Sequence, residues 1–469
     1  MKTMVRKLPF YRELAEVFDQ YHRREMAVFL DSSLENKLGQ YSIVGLNPYL
    51  ILKEEDGVFY SNGKIQDGTF EASMKEILRE QHEENGTGLP LIAGAIGYFS
   101  YDYGRKFEGI RTKHPQKIRM PEALFAFYDL LIIENKTEKS LYITSRGMLE
   151  DQKTALDRLE REICRMRCDD SESDTAAEDE KGSGATLSHV PEKHTQLTPF
   201  VPNFEKEEYK KTVDRMIDYI VEGDIYIANM TQQLCAESKK DPYEMYRYLR
   251  TYNPAPFGGY FNYGDFQIAS ASPERFLLVK DGIVETRPIK GTRKRGSTPE
   301  EDEALKKELQ ESSKDRSELL MIVDLERNDL NHVCEPGSVR VTEHFAVETY
   351  ATVFHLVTTV VGKMKEELQA MDLIEAAFPG GSITGAPKIR AMEIIDELEH
   401  DRRGLYTGSM GYFSLDGNCD LNIVIRTAVY RDGVYHLGVG GGITCESELE
   451  FEYEETLQKA KAVLEAIAE

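Results

Sequence analysis

Hydrophobic positions along this chain follow two spacings, and the spacings separate strands from helices. Before residue 150 they gather in short runs rich in β-branched and aromatic side chains: MAVFLDSS, YSIVGLNPYLILK, LPLIAGAIGYFSYD, ALFAFYDLLIIEN and SLYITSR. Such runs predict strands, with helical patterns between them and a polar helix over residues 151–166. Farther on, Tyr209, Val213, Met216, Ile217 and Ile220 share one face of a helical period, and Gly223 supplies the stop. Strand patterns return in DIYIANMTQQLCA, GYFNYGDFQIAS and RFLLVKDGIVETRPI, the last holding a DG hairpin turn. One long helix is predicted from Pro299 to about Asn331 and another over 387–398. The strand-like GSMGYFSLDG and LNIVIRTAVYRDGVYHLGVGGG follow, and a C-terminal helix starts near Leu449. Strands joined by hairpins, with helices interspersed, predict a mixed α+β fold with mostly antiparallel sheets.

Both rhythms stop after Cys168. Residues 169–196 are acidic, rich in Ser and Gly, and poor in large apolar side chains. Such a stretch buries too little surface to offset its ordering entropy, so a flexible linker is expected over 169–200. That divides the chain into an N-terminal region, 1–168, and a second region, 201–469. If strands from both regions pair, the linker is an internal loop rather than a hinge.

Charge narrows the functional classes. The chain has 82 acidic and 58 basic residues among 469, a formal charge of −24. Nucleic acid and anionic membranes need a basic surface, so neither is expected as a partner. No apolar run is long enough to span a bilayer, and MKTMVRKLPFYRELAEVFDQ lacks the apolar core of a secretory signal, which predicts a cytoplasmic protein. The six cysteines form no C-x-x-C pair, and reduced thiols are expected rather than a zinc site.

Candidate chemistry concentrates in four segments of the second region: 271–296, 314–330, 376–399 and 440–460. Glu318 is a carboxylate at the edge of an apolar helix face, read either as a solvated charge or as a metal ligand. Glu452 and Glu455 are i and i+3 on the C-terminal helix and could share a hard cation with Glu318; an acidic solvent face is the plainer alternative. The loop FPGGSITGAPK could offer backbone N–H groups to an anion, and GVGGG lets a ligand approach the backbone closely. Lys290 is either part of a cationic turn with Arg287, Arg293, Lys294 and Arg295 or a nucleophile whose amine those charges help to neutralise. His355 sits in the apolar run TYATVFHLVTTVV, where a core histidine is the ordinary reading. Arg426, inside the predicted strand LNIVIRTAVY, would be a buried guanidinium in need of an anion, such as a ligand carboxylate.

Together these segments resemble the chorismate-utilising family, which groups anthranilate, aminodeoxychorismate, isochorismate and salicylate synthases. The resemblance spans about Phe204 to Glu469 in order, and FLDSSLENKLGQYSIVGLNP and GAIGYFSYDYGRKFE extend it to the amino-transferring members. It implies that family's fold, large mostly antiparallel sheets packed as a sandwich with helices outside. It implies a magnesium ion, Mg2+, on Glu318 and Glu455 with Glu452 close by, taking the ring carboxylate of chorismate. Tyr406, Arg426 and backbone amides near Gly441 would hold the enolpyruvyl carboxylate, with Thr384 and Lys459 lining the same pocket. Glu274, in SPE, would protonate the departing C4 hydroxyl, and His355 would position or polarise the ring. A divalent cation, an arginine and a lysine would then meet a dianion inside an acidic protein.

One position separates the chemistries of the family. Anthranilate synthases usually have alanine in R-P-x-A-G-T, whereas RPIKGT carries Lys290, as in typical aminodeoxychorismate synthases. NPAPFGGY resembles the aminodeoxychorismate form more than the N-P-x-P-Y-M of feedback-inhibited anthranilate synthases. The implied product is 4-amino-4-deoxychorismate, for 4-aminobenzoate and folate synthesis, with anthranilate synthase component I as the alternative. Isochorismate-forming members place a lysine base where this chain has Ile227, which argues against water as the nucleophile. Amino-transferring members commonly have glutamine there. No glutaminase signature is present, so a separate glutaminase subunit is the expected ammonia source. The resemblance also admits a tryptophan pocket in the N-terminal region.

Overall fold

A strand that is hydrophobic at every position must be covered on both faces, because successive side chains point to opposite sides. Ala123–Asn135 is such a strand, buried along its whole length. Leu124, Ala126, Tyr128, Leu131 and Ile133 pack in a core built from strands, with Val28, Ile96, Phe261, Ile268, Met410 and Val429. On the opposite face, Ala123, Phe125 and Phe127 pack with Phe70, Leu319 and Ile374 from helices. Leu130 and Ile132 do the same with Leu156, Leu249 and Leu464. Sheet therefore packs on sheet inside and helices cover the outer faces. Every ladder between named strands is antiparallel, and the fold is a mixed α+β sandwich. The computed structural model describes residues 2–172, 191–193, 196–349 and 353–468.

Strands from both sides of the acidic stretch pair directly. Val28–Asp31 pairs with Gly258–Asn262, and Gly94–Phe99 with Ser409–Ser414. A buried Arg105 adds a 2.7 Å ion pair to Asp396 across the same junction. The helix Gln152–Glu172 runs past residue 166 into the first acidic residues. Most of the predicted linker, 173–190 and 194–195, lies outside the described residues.

Two predicted elements are interrupted, each for a local reason. The long helix is two, Pro299–Glu311 and Ser313–Val333. At the break, the Ser312 hydroxyl accepts the backbone N–H of Asp315, which makes Ser312 an N-cap. The strand predicted through Arg426 is also two, Cys419–Asn422 and Thr427–Arg431. Arg426 stands between them at φ +51°, a left-handed conformation no strand contains. The DG turn forms as read, with Asp281 at φ +52° and Gly282 at +74°. Among the described residues no helix is long and apolar enough to cross a membrane.

Candidate active site

The strand Ile289–Lys294 is kinked where it matters. Its register against Val353–Lys363 shifts between Lys290 and Thr292, and Gly291 takes φ +72° at the shift. A side chain at Gly291 would meet Asp315 and Leu309 at 2.8 Å, so the kink is packed as well as bent. Lys290 Nζ donates to the Ser382 carbonyl at 3.2 Å and lies beside Gly442, 3.8 Å from where a Cβ there would be. Ser382 also donates to Glu274, which lies in the loop before the strand Arg275–Lys280. Glu274 is 9% exposed. Burial raises its pKa, against the opposing pull of Lys290, Ser382, Lys459 and Arg426. A buried carboxyl with a raised pKa and a lysine amine thus share one neighbour, Ser382.

His355 lies across the kink, with Nδ1 3.0 Å from the Thr292 hydroxyl. Burial, then the charge of Arg426, lower its pKa to about 4, so the imidazole is neutral near pH 7. Arg426 is solvent-accessible rather than buried in a strand, which corrects the sequence expectation. Surrounding protein still desolvates the guanidinium and lowers its pKa, opposed by Glu274. The two observations agree for a side chain at the wall of a wet cleft. Among the described residues no side-chain hydrogen bond or ion pair engages it, leaving its donors to an incoming anion.

The opposite wall is acidic. A Cβ at Gly441 would stand 2.7 Å from Glu455 Oε2 and 3.3 Å from Glu452 Oε2, so both carboxylates reach the same glycine. Glu318 feels the charge of Glu455, and burial first, then that charge among others, raises its pKa. Burial likewise raises Glu452, with Ser447 opposing and Glu455 adding. Lys459 donates to the Gly440 carbonyl at 2.8 Å and lies 3.3 Å from Glu455. The carboxylates are not closed into a cage: among the described residues no group of three or more His, Cys, Asp or Glu is poised around one point. Their donor set is nevertheless all oxygen, which suits a hard cation.

Tyr406 lies flat against Gly438, where a Cβ would collide with its ring. Thr384 is buried and its hydroxyl donates to the Gly380 carbonyl at 3.0 Å. Ile227 is buried, with Cδ1 3.6 Å from the Cβ position at Gly442, next to Lys290 Nζ. The structure also brings in residues that sequence reasoning missed. Ser382 lies in the quoted loop GGSITGAPK, but no spacing marks it as the bridge between Lys290 and Glu274. Arg403, fully buried, donates to Glu399 at 2.7 Å and to the carbonyls of Ile383 at 2.8 Å and Asn229 at 2.5 Å. Glu399 in turn accepts from the Thr231 N–H at 2.9 Å. This hub ties the 380–386 loop to the strand Ile227–Glu237, and nothing in HDRRG announces it.

A cavity of about 990 Å³ lies elsewhere. Ser32, Tyr41 and Leu89 line it from the N-terminal side, and Phe257, Tyr412 and Asn422 from the other. None of the candidate residues above contributes to it.

The sequence profile described as "chorismate binding enzyme" matches residues 33–465. Anthranilate synthase component 1 of Aquifex aeolicus is 37% identical over 444 residues, 92% of this chain and 87% of that protein. Aminodeoxychorismate synthase component 1 of Bacillus subtilis is 36% identical over 474 residues, 98% of this chain and 96% of that protein. Among solved structures, anthranilate synthase component I from Streptococcus pneumoniae is similar with a TM-score of 0.79 at 32% identity. That match covers 92% of this chain and 93% of that one.

Proposed function

The chain belongs to the chorismate-binding enzymes, and on that premise we infer that it is the chorismate-using subunit of an aminodeoxychorismate synthase. The observation that carries the choice is the Lys290 amine, 3.2 Å from the Ser382 carbonyl in the pocket that holds Glu274, a carboxyl whose pKa burial raises. In this reading the lysine lone pair forms a bond to C2 of chorismate. Both ring double bonds shift by one position, and the C4–O bond breaks with its electron pair on oxygen. Glu274 gives that oxygen a proton and water leaves. Ammonia then bonds to C4, both double bonds shift back, and the C2–N bond to Lys290 breaks. The nitrogens' surplus protons are lost, one of them returning to Glu274.

Arg426 and Tyr406, with the Gly441 amide, hold the enolpyruvyl carboxylate, and Thr384 and Lys459 line the pocket. His355, neutral, orients the ring without adding charge. Glu318, Glu452 and Glu455 are the residues that would hold Mg2+, which supplies positive charge to the ring carboxylate when bound. Ammonia comes from a separate glutaminase subunit. The cavity of about 990 Å³ is where tryptophan would bind, at the junction of the two regions rather than within residues 1–168 alone.

The test is direct: incubate the protein with chorismate, magnesium and ammonium, and identify the product by mass and by its sensitivity to aminodeoxychorismate lyase. A lyase-sensitive amine at C4 supports the reading. Anthranilate as the product would move the chain to the second reading, anthranilate synthase component 1, which relatives of equal identity favour. Turnover with glutamine alone would remove the partner from the proposal.

A further inference from the structure

Arg403 takes no part in the chemistry above, yet its fully buried guanidinium sits directly behind the pocket, and its partner Glu399 is buried with it. All five N–H groups of the fork are used. Nε and Nη2 donate to Glu399 at 2.9 and 2.7 Å, and Nη2 also donates to the Asn229 carbonyl. Nη1 donates to the Ile383 carbonyl at 2.8 Å and to the Thr407 hydroxyl at 3.4 Å. The ring of Tyr101, from the N-terminal region, covers the guanidinium at 4.5 Å.

These contacts end next to residues assigned to the pocket. Ile383 lies between Ser382 and Thr384, and the Asn229 N–H donates to the Thr384 carbonyl at 2.8 Å. Thr407 follows Tyr406, and its hydroxyl donates to the Tyr406 carbonyl at 2.6 Å. Thr407 is β-branched and stands at φ +59°, a conformation that persists only where the surroundings fix it. Here the Val424 carbonyl holds its N–H at 2.8 Å and Arg403 holds its hydroxyl. The N-terminal region clamps the start of the same turn: the Gly404 carbonyl accepts the Tyr101 N–H, and the Gly404 N–H donates to Asp102, both at 2.8 Å. Tyr406 thus lies between this network and the site. Burial raises its pKa, Arg403 opposes, and Glu399, Glu455 and Glu274 add. Apolar side chains of similar volume often match or exceed a buried ion pair in stability, so stability alone does not account for this one. The fixed directions of its hydrogen bonds do.

We propose that Arg403 is a positioning residue for the carboxylate-binding wall: its fork sets Thr384 through Ile383 and Asn229, and Tyr406 through Thr407, so that the enolpyruvyl carboxylate meets a wall already in place. The inference rests on the reading of Tyr406 and Thr384 as chorismate-binding residues. Tyr101 and Asp102 extend the same function into the N-terminal region, although none of the residues assigned to the pocket lies there.

Arg403→Lys tests it. Lysine keeps a charge for Glu399 but gathers its donors on one nitrogen, so it cannot also serve Ile383, Asn229 and Thr407. Steady-state rates with ammonium should show KM for chorismate raised on the order of tenfold, what one hydrogen bond to a carboxylate is worth, with kcat changed less. A merely structural role would reduce the folded fraction, so kcat per total protein would fall at unchanged KM, and that result overturns the proposal. If Arg403→Lys does not fold, Thr407→Val takes its place, because valine removes only the hydroxyl that joins Arg403 to Tyr406. Its KM should rise, and Thr407→Ser, which keeps the hydroxyl, should restore it; an unchanged KM in Thr407→Val overturns the link. Tyr101→Leu should raise KM on its own and add nothing in Arg403→Lys, since it acts through the guanidinium, whereas additive effects would contradict that route. Failure of the wild type to turn over chorismate would instead sink the functional reading.

Discussion

Replacing Lys290 by alanine removes the amine but leaves the Ser382 carbonyl and Glu274 in place. The expected result is a large loss of rate with chorismate binding retained. Mass spectrometry of the wild type, quenched during turnover without ammonia, should find an adduct on the Lys290 peptide. Absence of the adduct together with a wild-type rate in Lys290→Ala would reduce the lysine to a cationic wall. Glu274→Gln should lower kcat by about 10²–10⁴-fold with little change in binding, the usual range for a lost general acid. Gly441→Ala is sharper still. Its methyl would enter the 2.7 Å space before Glu455 Oε2 and drive the half-buried carboxylate aside with little effect on stability. Magnesium titration of activity should show a raised requirement, and an unchanged one would remove Glu455 from the metal site. Helix spacing puts Glu452 and Glu455 on one face, but only the folded chain sets Gly441 opposite them. Arg426 was misplaced for a related reason: its neighbours Val424, Ile425 and Thr427 are β-branched and strand-like, and the left-handed turn at φ +51° leaves no mark on hydropathy.

At the scale of elements, the Arg403–Glu399 hub holds the 380–386 loop to its neighbouring strand. Arg403→Met would leave Glu399, 3% exposed, as an uncompensated buried charge, at a cost of about 3–5 kcal/mol. Urea unfolding should read that loss, and a change under about 1 kcal/mol would show the hub to be dispensable. The helix Ser313–Val333 brings a pH dependence of its own. Between its usual 4.5 and about 8, folded Glu326 keeps a proton that the unfolded chain releases, so stability falls as pH rises through that window. Asp329, raised from 3.8 to about 6 by burial against Lys388, adds in the same direction at lower pH. His355 works the other way: lowered from 6.5 to about 4, it refuses a proton the unfolded chain accepts, so its contribution is lost as pH falls through that range. Glu326→Gln should therefore gain on the wild type as pH rises from about 5 to 8, at about 1.4 kcal/mol per pKa unit. Equal losses in both proteins, followed by chemical denaturation, would contradict the assignment. The elements themselves were largely legible, because burial on one or both faces writes a period into the sequence. Their interruptions were not, because a cap such as Ser312 acts through a single hydrogen bond.

For the whole molecule, the sheet makes the two regions one structure. Cutting the chain within 173–190 should leave fragments that elute together, since Val28–Asp31 and Gly94–Phe99 remain paired with strands of the other piece. Separation of the nicked fragments by gel filtration without denaturant would refute this. Composition could suggest the linker, but strand pairing across it depends on registers set by residues hundreds of positions apart. That separation has a consequence for synthesis. The strand Gly94–Phe99 finds its partner Ser409–Ser414 only after some 300 further residues have been translated, about 15–60 s at typical rates of about 5–20 residues per second. Throughout that interval its outer edge lacks its partner strand, and the core of Ile96 and Tyr98 lacks Met410 and Tyr412. A nascent chain of this design depends on holding chaperones or on a slow, late collapse. Its first third, expressed alone, should collect in inclusion bodies.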